Sequence, residues 1–321
     1  MRPTSGTTIQ RPDLGALAFE YMVQGSERGF IGLELMPVFE VPEQSADYPI
    51  IPIEALLKTP VTKRSPRGGY NRGDYEFETG TYSCKENGWE EPVDEVEAKL
   101  YRRFFDAEEV AVIRATDVLM RGHEMRVAAK LFSTSVITGT SDVAVEWSTP
   151  ATATPYADVE TAKAAMRAAS GLLPNVIAMT WKVFRNALAT TEIKTVMQYT
   201  NPIQVMGEEA QKVFLANYFG VSRVLVGNAI KDSAKKGKTF SLTDIWDDEY
   251  IGLYRISSGG SDLREPCVGR TMLWTADSPE LLNTESYREE PIRSDIYRVR
   301  QQTDEAIVFA GAGYLLGNIT A

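Results

Sequence analysis

Four carboxylates within six residues, Asp244, Asp247, Asp248 and Glu249, have the density that holds a divalent cation, and a metal-dependent enzyme would use them that way. Trp246 sits among them and no loop glycine follows, so they do not form a defined calcium loop. His123 is the only histidine. It lies between Gly122 and Glu124 with no serine or cysteine motif to serve, which reads as a helix-surface or interface residue and not as an acid–base catalyst. Gly237-Lys238-Thr239 has the ending of a phosphate-binding loop, but Asp232 stands where the first glycine is required, so a solvated loop is expected. Gly311, Gly313 and Gly317 are spaced one residue too widely for a dinucleotide turn, and only Asn318 to Ala321 follow to build a helix. They suit close backbone packing in a strand. Cys84 and Cys267 have neither CxxC spacing nor clustered histidines, and read as two reduced thiols without zinc. No catalytic, cofactor-binding or metal-ligating residue is expected.

With chemistry set aside, composition bounds the rest. A chain of 321 residues with 43% hydrophobic and 24% charged residues can bury a core, in one large or two coupled domains. Its net charge of −10 excludes a chain-wide basic footprint for gripping nucleic acid. No apolar run approaches the roughly 20 residues that span a bilayer, and Met1-Arg2-Pro3-Thr4-Ser5-Gly6 lacks the apolar stretch of a signal peptide. A soluble protein made in the cytosol, with no membrane partner, is the expectation.

Charge is sorted along the sequence instead. Lys58, Lys63, Arg64, Arg67 and Arg72 precede Gly73 with no acid among them. Asp74, Glu76, Glu78, Glu86, Glu90, Glu91, Asp94, Glu95 and Glu97 then oppose the single Lys85. A basic arm joined to an acidic arm through glycine is a poor core element and a good reaching element. The predicted contact residues between subunits are Lys63, Arg64, Arg67, Arg72, Asp74, Glu76, Glu78 and Glu86.

The elements that would carry this loop follow from periodicity. Residues 1–60 read as an extended arm interrupted by Pro3, Pro12, Pro37, Pro42, Pro49, Pro52 and Pro60. Its large apolar groups, among them Phe19, Tyr21, Phe30, Leu33, Leu35, Phe39 and Ile51, need a covering surface on the same subunit or a neighbour. Residues 61–88 read as a long two-armed loop, with residues 75–82 alternating as a half-exposed strand. Apolar steps of three and four predict a short helix to about 103 and a long one over 107–132, divided by an Asp106–Glu109 capping box and a Phe105–Val110 staple. At about 1.5 Å per residue the long helix is a rod of roughly 39 Å. Further along, strands are expected at 143–147, 175–180, 223–226 and 250–254, and helices at 156–170, 181–189 and 208–219. The tail, 295–317, alternates in two runs and suggests a closing hairpin.

In this order the motifs resemble the major capsid protein of tailed bacteriophages. Pro37-Val-Phe-Glu-Val-Pro42 is similar to that family's arm motif, and Arg64-Ser65-Pro66-Arg67-Gly68 with Tyr82-Ser-Cys-Lys-Glu86 and Val93-Asp94 to the two sides of its extended loop. Pro174-Asn175-Val176 with Trp181 and Leu188 resembles its strand-then-helix block. Phe219-Gly220-Val221, Val224-Leu225-Val226-Gly227 and Asp244-Ile245-Trp246 resemble its later core, and Tyr314-Leu315-Leu316 its closing strand. The likeness covers about residues 30–318. It implies an α+β capsid fold with an N-terminal arm (1–48), an extended loop (49–90), a peripheral domain with a spine helix (91–155), an axial domain with returning peripheral segments (156–290), and closing peripheral strands (291–321). It also implies hexamers and pentamers of an icosahedral shell around double-stranded DNA. The implied partners are the chain itself, scaffolding, portal and decoration proteins, and packaged DNA by non-specific proximity. The implied location is the virion capsid, assembled in the bacterial cytoplasm. Because the sequence starts almost directly at the arm, a separate scaffold or none is expected. The same fold would serve an encapsulin-like nanocompartment holding protein cargo.

Overall fold

The computed structural model describes residues 9–10, 14, 29–50, 57–73, 77–200, 207–235, 237–258, 265–277 and 280–320. The chain opens with β1 (Ile9–Gln10), a short helix α1 (Gly32–Leu35), β2 (Val38–Val41) and β3 (Ser45–Ile50). Beyond the loop lie β4 (Glu78–Ser83), β5 (Lys85–Asp94), α2 (Glu95–Tyr101) and the long α3 (Ala107–Leu131). Then come β6 (Thr140–Asp142), α4 (Pro155–Ser170), β7 (Val176–Thr180), α5 (Trp181–Ala189), α6 (Thr191–Thr200) and α7 (Glu208–Tyr218). The last third is strand: β8 (Arg223–Gly227), β9 (Ile230–Asp232), β10 (Leu242–Asp244), β11 (Ile251–Tyr254), β12 (Gly269–Trp274), β13 (Asn283–Glu289), β14 (Ser294–Ile307) and β15 (Gly313–Gly317).

A six-stranded sheet is organised by β14, which is 14 residues long. Residues 294–300 pair with β13 and also with β5, while Thr303 pairs with Leu273 of β12 and Lys85 of β5. β12 and β13 therefore lie end to end along one side of β14, and β5 takes the other. β2 adds parallel to β12, and β1 antiparallel to β13.

The rod α3 packs across β5 and β14. Asp106 caps its start by accepting from the Glu108 amide at 3.0 Å. Its buried face (Val112, Ala115, Leu119, Met120, Val127 and Leu131) recurs at helical spacing, and alanines let the sheet approach closely. Phe30, Leu35 and Met36 of the arm are buried in the same core, so for these residues the covering surface belongs to their own subunit. Phe19, Tyr21 and Ile51 lie outside the described residues.

A second sheet has the order β6-β15-β11-β7-β8. Val176-Ile-Ala-Met-Thr180 is buried at every position, as a central strand covered on both faces must be. Thr180 caps α5 through its hydroxyl, and Gly171 ends α4 in the left-handed region at φ 72°.

Two expectations fail. The tail is not a hairpin: β14 belongs to the first sheet and β15 to the second, with a short 3-10 turn, Ala310–Ala312, between them. Every residue of β15 is buried, which requires a place between two neighbours, and β6 and β11 provide it. Residues 143–147 form no strand. Their amides bond irregularly to the chain end, Val143 to Gly317 and Trp147 to Ile319, while the Trp147 indole donates to Asp158 on α4.

Candidate assembly surfaces

The extended loop stands on a ladder. β3 and β4 pair from Ser45↔Ser83 to Ile50↔Glu78, and Tyr48, Tyr82 and Cys84 seat the ladder on Met272 and Ala306 of the first sheet. Burial pushes the Cys84 thiol up to about 11, which makes it an inert packing group. Residues 57–73 are exposed almost throughout, Tyr70 at 75%. A local turn gives them shape. Gly68 donates to the Ser65 carbonyl, Arg64 donates through Nε to the Gly68 carbonyl at 2.6 Å, and its guanidinium sits 4.8 Å over the Tyr70 ring. Arg67 holds a left-handed φ of 65° at this turn. None of Lys58, Lys63, Arg64, Arg67 and Arg72 makes an ion pair with a described residue. Asp74 and Glu76 lie outside the described residues; Glu78 is exposed on β4.

The acidic side of the loop has a different environment. Glu86 and Glu90 lie on β5 beside β14, whose Arg298 and Arg300 meet them, while Glu91 on the other face of β5 lies 3.6 Å from Arg114 of α3. Arg298 binds Glu90 at 2.6 Å and Glu285 at 3.4 Å. Arg300 binds Glu285 at 2.9 Å and also Asp277, with Glu86 3.9 Å away. Arg288 on β13 joins Glu95, Glu290 and Asp295, and those hydrogen bonds raise its already high pKa further. Among the described residues, Glu86, Glu90 and Glu95 meet cations within one subunit, whereas the loop cations meet no carboxylate. Sequence reasoning missed these arginines. The available signal was Arg298-Val299-Arg300 alternating at strand period opposite an acidic strand.

A buried polar hub joins the arm to α3, and it too was missed. The Glu124 carboxylate is 1% exposed and accepts three hydrogen bonds: from the amides of Ile31 and Gly32 at 2.9 and 2.8 Å, and from the Trp246 indole at 2.6 Å. Burial pushes its pKa up to about 7 against the pull of those donors. His123 is not on the helix surface. It is fully buried, and burial holds it down at about 4, so the ring is neutral. Thr271 gives its hydroxyl proton to the Met36 carbonyl at 2.8 Å, which leaves it to accept from His123 Nε2 at 3.2 Å. Glu305, 3.7 Å from the same nitrogen, makes no charged pair with a neutral ring; Arg126 is its partner through three bonds of 3.0–3.1 Å from Nε and Nη2. Burial raises the Glu305 carboxyl, but that guanidinium outweighs it and the net shift is downward.

The remaining candidates have structural employment. Asp248 accepts from the Thr180 hydroxyl at 2.5 Å and faces Lys182 at 3.6 Å. Asp247 caps a turn at the Glu249 amide, and Asp244 ends β10, its pKa raised by burial and by Asp248. Among the described residues no three His, Cys, Asp or Glu side chains converge as a metal site. Gly237 is the left-handed residue of the β9–β10 hairpin turn. Gly313 lets Ile137 and Tyr254 pack against β15, where an added Cβ would come within 3.1 Å of both. Around the α2–α3 junction, Val96, Leu100, Tyr101, Phe104 and Phe105 are exposed, Phe104 at 81%. Patches of that kind on a soluble domain mark contact surfaces. Among the described residues no helix is long and apolar enough to cross a membrane.

No protein-family model and no curated protein matches the sequence. Solved structures do match. A phage-related protein from Bordetella bronchiseptica RB50 superposes with a TM-score of 0.72 over 98% of both chains, at 21% identity. The capsid of cyanophage P-SCSP1u superposes at 0.55, covering 88% of this chain and 86% of its own, at 10% identity. The fold is that of phage capsid proteins. The capsid fold is also found in the encapsulin complex of Synechococcus elongatus PCC 7942, at a TM-score of 0.54 and 12% identity over 89% of this chain and 86% of that one. The exposed loop and the long helix are the elements that sorted charge and apolar periodicity anticipated.

Proposed function

We propose that this chain is the major capsid protein of a tailed phage, a structural subunit without catalysis that assembles into hexamers and pentamers of an icosahedral shell around double-stranded DNA. The observation that carries this reading is a capsid fold along nearly the whole chain that projects a basic loop whose cations meet no carboxylate among the described residues. The contact residues are Lys63, Arg64, Arg67 and Arg72 on the loop, with Asp74, Glu76, Glu78 and Glu86 on its acidic side. Each exposed pair contributes about 0–1 kcal/mol. Repetition over a closed shell makes such contacts sufficient, and their weakness lets misplaced subunits leave. Apolar surface buried between subunits adds about 25 cal/mol per Å². The net charge of −10 keeps packaged DNA near the wall without gripping it. The partners are other copies of the chain, with scaffolding, portal and decoration proteins, in a virion capsid assembled in the host cytoplasm.

Electron microscopy of the expressed protein tests the reading directly, with Arg67→Glu/Arg72→Glu as the control. Shells from the parent chain and none from the variant at physiological salt are expected. Shells undiminished in the variant would show that the loop does not work this way. The encapsulin likeness favours one second reading, a nanocompartment shell with protein cargo. Particles filled with protein and free of DNA would select it.

A further inference from the structure

The β9–β10 ribbon carries an apolar face that the described residues leave exposed. Its root is fixed. Arg121 of α3, held by Asp117 at 2.6 Å, donates to the Ile230 carbonyl at 2.9 Å, and the Ile245 amide closes the base on the Ala229 carbonyl at 2.9 Å. Beyond the root, strand alternation sorts the side chains. Ile230, Asp232, Phe240, Leu242 and Asp244 share one face. Lys231, Ser233, Ser241 and Thr243 share the other, where the Ser233 and Ser241 hydroxyls lie 3.4 Å apart. All of β10 is exposed, and so are Ile230 and Phe240, the latter at 67%. A two-stranded ribbon is marginal in water without a third strand or a surface to pack on.

A matching surface exists on the same chain. On α2 and the turn after it, Val96, Leu100 and Phe104 recur at steps of four and are exposed, beside Tyr101 stacked on Phe105 at 5.5 Å. Residues 98–105 hold three cations, Lys99, Arg102 and Arg103, and no acid. None of the three makes an ion pair with a described residue. The apolar face of the ribbon has the reverse charge, with Asp232 and Asp244 and no cation. Within one subunit the two surfaces do not cover each other. The ribbon is rooted at Arg121, about 22 Å along α3 from Asp106, and both surfaces stay exposed. Resting on the reading of the chain as a shell subunit, we infer that the apolar face of the ribbon docks on the α2–α3 patch of a second copy. Phe240 and Leu242 cover Leu100 and Phe104, and Asp232 meets the cations beside them. The two surfaces differ, so the contact is head-to-tail and closes into a ring when the rotation permits. Each side offers a few hundred Å² of apolar area, well under the roughly 1,200 Å² of a stable pair. The contact therefore does not dimerise free subunits; it adds to others in a shell.

A crosslink and a charge exchange test this on the full-length chain under assembling conditions. Particles of Leu242→Cys/Leu100→Cys treated with a short bis-maleimide should give a ladder of covalent multimers, and either single variant none, since Cys84 and Cys267 are buried. Both leucines are exposed, so the subunit keeps its fold. Particles without multimers, or a crosslink closed within one chain, would overturn the contact and leave the shell reading standing. Independently, Leu242→Lys and Leu100→Glu should each lower the assembled fraction at least tenfold with thermal unfolding of the free subunit unchanged, and the double variant should restore it. Full assembly of either single variant would overturn the contact. Loss with Leu242→Lys that Leu100→Glu does not repair would also overturn it, by giving the ribbon face another occupant. A parent chain that forms no particles would remove the shell reading, and this contact with it.

Discussion

Adjacent residues of the rod, His123 and Glu124, should give stability slopes of opposite sign with pH, and single substitutions should uncover them. Glu124 rises from its ordinary 4.5 to about 7 because burial disfavours its charge. The native state therefore binds the proton more tightly than the unfolded chain. That contribution is complete below pH 4.5 and is lost as pH rises through 7. At about 1.4 kcal/mol per tenfold, the rise amounts to about 3 kcal/mol. His123 falls from 6.5 to about 4, also through burial. Its contribution is present above pH 6.5 and is lost as pH falls towards 4, again about 3 kcal/mol. Between pH 4.5 and 6.5 the two slopes nearly cancel.

Glu124→Gln removes the titrating group. Oε1 keeps the Ile31 and Trp246 donors, while the amide nitrogen that replaces Oε2 cannot accept from the Gly32 N–H, which lowers stability by an amount that does not depend on pH. Urea unfolding of the unassembled subunit, read by tryptophan fluorescence, should then become more stable by about 3 kcal/mol from pH 4.5 to 7, because His123 alone remains. His123→Gln should become less stable by a similar amount over the same range. Glu305 does not mask the effect, because its lowered pKa adds a slope only below pH 4.5. If both variants follow the parent profile, the hub does not titrate as a buried pair and the reasoning fails.

Two further outcomes can be measured. Arg126→Met strips Glu305 of its fork while the carboxylate stays 4% exposed, so a loss of about 3 kcal/mol is expected in thermal or urea unfolding. Arg126→Met with Glu305→Met should recover most of it, and no recovery would mean that packing matters more than charge. Phe104→Ser, at a side chain 81% exposed, should change subunit stability by no more than about 0.5 kcal/mol and yet suppress particle formation. Undiminished particles would mean that the α2–α3 apolar patch is not a contact surface.

Local signals made much of the fold legible. Capping at Asp106, the glycine stop at 171 and the apolar run of β7 each mark an element where the structure has one. The errors came from long-range facts. His123 looked like a surface group because its polar neighbours, Gly122 and Glu124, hid the turn of helix facing Thr271, 148 residues away. The tail looked like a hairpin because alternation reports a strand and not its partners. Glu124 gave no signal, since a buried acid on a helix is recognisable only once the arm amides and Trp246 are beside it.

The same long-range pairing changes the meaning of the sorted charges. In sequence the basic and acidic sides look equivalent, each able to seek its opposite on a neighbour. In the fold they are not. Arg288, Arg298 and Arg300 reach Glu95, Glu90 and Glu86 from within the sheet, so that side enters an assembly already rigid and mostly neutralised. The loop cations meet no described carboxylate. Replacing a loop cation should therefore weaken assembly without unfolding the sheet, whereas removing β14 arginines should disturb the sheet before any second subunit arrives.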